Sequence, residues 1–144
     1  MGAAAVSEEY PFPLPTPGVI TGPFWDGLRE HRLLVQRCLT GGHLVHYPRE
    51  FCPVCYSPDL EWEEMSGRGR VHAFTVVHRA VHPAFQQEKA PYVFALIRLD
   101  EGPILTSNVE GVALDEMRIE MPVEVYFDDV TEQVTIPKFR PVGG

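Results

Sequence analysis

The densest chemistry in this 144-residue chain lies between Cys38 and Cys55. Cys52-Pro53-Val54-Cys55 separates two thiolates by two residues, a spacing that lets both point at one ion from a tight turn. Cys38, followed by Leu39-Thr40-Gly41-Gly42, stands where the first knuckle of a zinc ribbon belongs, but Gly41 occupies the place where a second Cys-x-x-Cys would end. His43 and His46 lie just beyond, and either imidazole could complete a tetrahedral set of three thiolates and one nitrogen. His43 is nearer the knuckle, so the expected cofactor is a zinc ion held by Cys38, Cys52, Cys55 and His43. The competing reading leaves both histidines on solvated strands and the site degenerate. A redox dithiol would need a thioredoxin-like βαβ setting, which these surroundings do not offer.

Elsewhere the chemical signals are thinner. Gly67-Arg68-Gly69 resembles a phosphate loop in composition, yet it precedes a strand and lacks the helix N-terminus that would hold an anion, so it reads as a bend. His72, His78 and His82 share strand parity with Phe74 and Val76 and are expected on one face. His72 and His78 lie roughly 20 Å apart at the usual strand rise, too far to share one metal without a bulge. Arg68, Arg70, Arg79, Lys89 and Arg98 give this half local positive charge, suited to CoA phosphates, an acidic partner or plain solvation. No G-x-S-x-G or H-E-x-x-H pattern is present, and the cysteines are better used on metal, so catalysis by this chain alone has no assembled group.

These residues need elements to position them. Pro11, Pro13, Pro15 and Pro17 forbid a helix, giving an extended arm over residues 1–20. Thr21 is the expected cap and Pro23 lies in the first turn of a short helix ending near His31, with Phe24, Leu28 and Trp25 as its apolar stripe. The stretch to Glu64 is broken by Cys, Gly and Pro and is too small to fold by burial alone, so residues 21–64 form the helix and metal-stapled ribbon. Residues 65–144 read as strands: 71–81, 92–99, 104–109, 121–127 and 132–136, with a helical turn at 113–118. The fold class is therefore mainly β, a short helix and ribbon followed by a five-stranded OB-type barrel.

Composition narrows the function. Twelve Lys and Arg against twenty Asp and Glu give a net charge of −8, which argues against a nucleic-acid partner. With 44% hydrophobic residues a packed core is expected. No run of about 20 apolar residues predicts a membrane span. The start lacks a basic segment and apolar stretch, and Val6 breaks a myristoylation motif, so a cytoplasmic location is expected.

Taken in order, Phe24-Trp25-x-Gly27-Leu28, Cys38 with Gly42, Tyr47-Pro48-Arg49-x-x-Cys52-Pro53-x-Cys55-x-Ser57, Glu61-Trp62, Ser66-Gly67-x-Gly69 and Ile136-Pro137-Lys138-Phe139-Arg140-Pro141 resemble the acyl-CoA-associated OB-fold family with an N-terminal rubredoxin-like zinc ribbon. The resemblance covers about residues 20 to 141 and departs at Gly41, where the family usually has a second cysteine. It implies a small subunit working beside a larger catalytic one: a thiolase or aldolase of the lipid-transfer-protein type, or a hot-dog-fold enoyl-CoA hydratase. Such complexes process acyl-CoA thioesters, including retro-aldol removal of steroid side chains in bacteria. On this reading the chain stabilises the complex and helps to hold the CoA thioester. Partner or CoA contacts are expected from Arg68, Arg70, Phe74, His78, Arg79, Phe85, Lys89 and Tyr92, with the proline arm also buried against the partner. A single-strand-binding OB module and a self-sufficient enzyme using His72, His78 or Asp100 are the competing readings.

Overall fold

In the computed structural model, which describes Tyr10, residues 12–84 and residues 89–142, two sheets follow one short helix. Helix α1 spans Gly22–Arg29 and turns Phe24 and Leu28 into the core, with Trp25 half-buried beside them. Thr21 does not cap it. Its hydroxyl faces backward and accepts the Gly18 N–H at 2.9 Å, while Pro23 occupies the first turn. The helix stops short of His31, which adopts a positive φ of 59°.

Strands β1 (Leu34–Cys38), β2 (Leu44–Val45) and β3 (Leu60–Glu64) form a three-stranded antiparallel sheet in the order β2-β1-β3. It has almost no core of its own: Val45 and the two buried cysteines, Cys38 and Cys52, make a small cluster under Leu60. A cluster this small leaves the loops dependent on the cysteine site, as expected for so short a stretch.

The second sheet carries the main core. Strands β4 (Arg68–Val77), β5 (Tyr92–Leu99), β6 (Ile104–Asn108), β7 (Pro122–Asp129) and β8 (Thr135–Pro141) run in the order β6-β5-β4-β7-β8. A 3-10 turn at Leu114–Glu116 precedes β7. The ends of this sheet meet at a short parallel bridge, Val109 with Phe139, and Ser107 Oγ donates to Pro137 O at 2.9 Å. This is an OB-type order with a nearly closed barrel. Its interior holds Val71, Ile97, Leu99, Val123 and Phe139, each essentially solvent-free, and Leu28 and Leu33 join them from the N-terminal half.

Two strand expectations are corrected. Across β4 and β5, Val71 faces Ile97 while Ala73 already faces Leu96, so His72 is the extra residue of a bulge. The inserted residue inverts the alternation: His72 is exposed, whereas Phe74 and Val76 pack against the core, and the shared face expected for them does not exist. The last strand runs Thr135–Pro141 rather than 132–136. It is an edge strand, paired in a ladder only with β7, which is where proline's missing N–H is tolerated. The 67–69 segment is indeed a bend feeding the barrel; Gly67 has φ +82° and Val125 Cγ1 stands 2.4 Å from where its Cβ would be.

The described part of the proline arm lies on this chain's own barrel. Phe12 is buried, Tyr10 meets it edge-on at 5.2 Å, and Lys89 Nζ lies 5.4 Å from the Phe12 ring. Beneath them Lys138 is buried and paired with Asp128 at 2.7 Å and Glu110 at 3.6 Å. Burial pulls the Lys138 ammonium down, but the two carboxylates outweigh it and its pKa ends raised. Tyr126 donates to Glu110, and burial first, then that carboxylate, push its phenol pKa up.

Candidate metal centre

Each half of the cysteine site is set by a turn. Cys38 closes β1, and the chain reverses through Gly42, whose N–H donates to Cys38 O at 2.8 Å, before Cys38 N–H reaches His43 O at 2.7 Å. In the second turn Tyr56 N–H donates to Cys52 O at 2.7 Å and Cys52 N–H to Ser57 O at 2.9 Å, with Tyr56 in the left-handed region at φ 63°. The two turns are tied by Thr40 Oγ1 and Ser57 Oγ, 2.8 Å apart, and by Leu39 N–H donating to Asp59 O at 2.9 Å.

The donor atoms of Cys38, His43, Cys52 and Cys55 lie within 4.8 Å of one another. Cys38 Sγ and Cys55 Sγ are 3.5 Å apart, and Cys52 Sγ is 3.6 Å from His43 Nδ1. A tetrahedral ion with thiolates at about 2.3 Å sets its sulfurs roughly 3.8 Å apart, so this donor set fits zinc in size and chemistry. The cysteines are free thiols rather than a disulfide. Backbone N–H groups of Gly41 and Val54 each lie 3.4 Å from a sulfur, Cys38 and Cys52 respectively. The Gly41 N–H is the main reason the Cys38 thiol pKa is lowered. For Cys55, the backbone contact at Ser57 favours the thiolate, but neighbouring Cys38 and Cys52 together with desolvation prevail and raise it.

Gly41 explains why an imidazole can serve here. A Cβ at position 41 would lie 2.4 Å from His43 Cε1 and 2.7 Å from its Nδ1. The His43 ring thus fills the space that a side chain at position 41 would need. His46 takes no part. Its ring packs against Phe24 at 5.5 Å and Tyr47 at 4.3 Å, its Nδ1 is buried without a hydrogen-bond partner, and burial pushes its pKa from 6.5 down to about 4.

The residues expected to touch CoA or a partner are not drawn together. Arg68 and Arg70 point outward from β4; Arg70 Nη1 donates to Glu120 O at 3.0 Å, and its cross-strand neighbour Arg98 pairs with the Glu120 carboxylate at 3.0 Å. Phe74 packs on the core, Tyr92 pairs with Val77, and His78 and Arg79 are exposed beyond the end of β4. Lys89 sits over Phe12, away from the arginines along a strand about 30 Å long. Phe85 lies outside the described residues. The sequence reading missed the junction between ribbon and barrel. There Tyr47 Oη and Thr106 Oγ1 are 2.8 Å apart, and Gln36 exchanges two hydrogen bonds with the Arg49 backbone at 2.7 and 2.9 Å. A cavity of about 420 Å³ opens beside that junction, with His46 and Trp25 in its wall. Only the aromatic residues Trp25 and Tyr47 hinted at it.

Comparison with known proteins bears on this arrangement directly. Residues 25–61 match the family described as "ChsH2, rubredoxin-like zinc ribbon domain", and residues 62–128 match "ChsH2, C-terminal OB-fold domain". A "DUF35 domain-containing scaffold protein" of Pyrococcus furiosus is 32% identical over 126 residues, 83% of this chain and 90% of that protein. The chain belongs to the ChsH2/DUF35 family. A "Probable enoyl-CoA hydratase alpha subunit" of Thermomonospora curvata is 40% identical over 119 residues, 82% of this chain, but this chain spans only 36% of that relative's length. Among solved structures, a chain of the "Ltp2-ChsH2(DUF35) aldolase" superposes with a TM-score of 0.80 at 36% identity, covering 89% of this chain and 98% of that one. Among the described residues, no helix is long and apolar enough to cross a membrane.

Proposed function

We propose that this chain is the accessory subunit of a heteromeric complex that cleaves a C–C bond in an acyl-CoA thioester, paired with a thiolase-like aldolase or thiolase of the lipid-transfer-protein type. The observation that carries this reading is the end-to-end likeness to the small chain of the Ltp2-ChsH2 aldolase. The geometry is consistent with it: the three thiols converge with His43 on a metal, and the metal loops expose apolar side chains, Leu39, Val54 and Tyr56, to solvent. When bound, zinc would staple the two turns and hold them in shape; Cys38, Cys52, Cys55 and His43 would be its ligands. The catalytic groups belong to the partner. Residues 21–64 act as the adaptor half and 65–144 as the barrel half, and outward Arg68, Arg70, His78 and Arg79 are the candidate contacts to the partner or to CoA phosphates. Bulky acyl groups such as steroid side chains fall within the proposed substrate range. We place the complex in the cytoplasm, where three free thiols keep their reduced state.

Partnership with an enoyl-CoA hydratase is the second reading, favoured by the name of the Thermomonospora relative. Native mass spectrometry of the tagged chain purified from its own host separates the two. A co-purified thiolase-like subunit with one zinc per small chain is the expected result. A hydratase-like partner would select the second reading, and a lone chain would overturn both.

A further inference from the structure

The cavity beside the ribbon–barrel junction has no place in the reading above. It occupies about 420 Å³ between α1, the 46–48 loop and the seam where β6 approaches β8, within the range typical of small-molecule sites. Trp25, Phe94, Leu105 and Ile136 supply most of its apolar wall. None of its lining residues is an Asp, Glu, Lys or Arg. Its polar groups are neutral: Ser107, whose hydroxyl is committed to Pro137 O, Asn108, whose amide donates to Val93 O at 2.9 Å, and His46. A phosphate, a carboxylate or an ammonium would lose its hydration there and gain no counter-charge.

A second observation points the same way. His46 stands in the wall with Nδ1 shielded from water and bonded to nothing. Buried polar atoms of folded proteins nearly always find a partner, so an orphaned ring nitrogen at the edge of an apolar cavity marks a place for a hydrogen-bonding group brought in from outside. Tyr47, the next residue, is fastened to Thr106 and keeps the mouth from closing over the space.

We propose that this cavity binds the uncharged acyl portion of a thioester, an apolar body carrying a carbonyl or hydroxyl that meets His46, and leaves the nucleotide phosphates outside. The assignment of a thioester rests on the function proposed above; the preference for an uncharged apolar group rests on the lining alone. The cavity would then sort substrates by their acyl group, a task separate from holding the subunits together.

The test uses the full zinc-loaded chain and N-phenyl-1-naphthylamine, an uncharged dye that brightens in apolar sites. Dye emission excited through tryptophan should rise on binding, since Trp25 lines the wall, and octanoyl-CoA should displace the dye while free CoA does not. Phe94 is substantially exposed at the rim, so Phe94→Glu adds a charge to the lining without burying it in the core, and should weaken dye binding at least tenfold. Should that variant fail to fold, chemical-shift changes in the native chain on adding octanoyl-CoA must centre on Phe94, Leu105, Ile136 and the Trp25 indole. No dye binding by the native chain, equal binding by Phe94→Glu, shifts elsewhere, or displacement by octanol but not octanoyl-CoA would each overturn the proposal. Pull-down of the catalytic partner by both forms keeps the two ideas apart. Partner retained without dye binding sinks the cavity assignment alone. Partner lost only in Phe94→Glu, with no dye bound by the native chain, marks the cavity as a seat for a partner segment and refutes ligand binding.

Discussion

Replacing Gly41 by alanine tests the reasoning about the metal centre more sharply than removing a ligand. Gly41 is not in the left-handed region, so an alanine there meets no backbone penalty; the cost is the Cβ placed 2.4 Å from His43 Cε1 and 2.7 Å from Nδ1. Contacts that close force the ring out of the cluster and leave three thiolates. Structural zinc sites bind with about 10–16 kcal/mol shared among four ligands, so losing one removes roughly 3 kcal/mol, or about a hundredfold in affinity. His43→Ala should lose a similar amount for the simpler reason. The double variant Gly41→Cys with His43→Ala should recover most of it, because removing the ring vacates the space that a thiolate at 41 needs. Competition against a chromogenic chelator gives the affinities, and cobalt substitution reports the donors, since a fourth thiolate intensifies the charge-transfer band. Tight binding by Gly41→Ala would refute the steric argument. Unchanged affinity in His43→Ala would remove the imidazole from the donor set.

Three further outcomes follow from packing and charge. Leu28 is fully buried between α1 and the barrel, so Leu28→Ala should cost about 2–5 kcal/mol in urea unfolding; under 1 kcal/mol would mean α1 is not part of the core. Lys138→Ala should cost about 2 kcal/mol, discounted because Asp128 and Glu110 are about a third exposed, whereas Lys138→Met, which keeps the volume, should cost less; equal losses would show that volume rather than charge matters there. His46 has its pKa depressed by burial from 6.5 to about 4, so the unfolded chain takes up a proton first as the pH falls. The stability it contributes is complete above pH 6.5 and is lost between 6.5 and about 4, some 3 kcal/mol in all. The zinc ligands titrate nearby, so the quantity to measure is the difference in pH slope between the native chain and His46→Phe, and identical slopes would count against a buried neutral ring.

The metal knuckle and the barrel were legible because their signals are local. Cys52-x-x-Cys55 constrains itself, and strands such as Tyr92–Leu99 announce themselves by alternation. The preference for His43 over His46 needed only proximity to Cys38. What escaped depends on partners distant in sequence or on one residue's difference. A bulge at His72 leaves no mark in composition, yet it inverts the face of everything after it in β4. Thr21 had the chemistry of a cap, but Gly18 offered its N–H first. The cavity at His46 draws its walls from α1, the ribbon, β5, β6 and β8, a meeting that no window of sequence contains. Lys138 reads as a surface lysine until the arm covers it.

That covering ties the first described residues of the chain to the last strand, with Tyr10 and Phe12 lying over Ile136 and Lys138. On the ribosome the arm emerges at the start of synthesis and has no seat until β8 has cleared the exit tunnel. The seam between β6 and β8 waits for the same moment. Helix and ribbon are free to take up metal early, while the barrel stays open, its apolar strands exposed, until synthesis is nearly complete. A truncation that removes only β8 therefore leaves two segments unhoused, one at each end of the molecule, and its product should be captured by chaperones or aggregate rather than persist as a smaller folded protein.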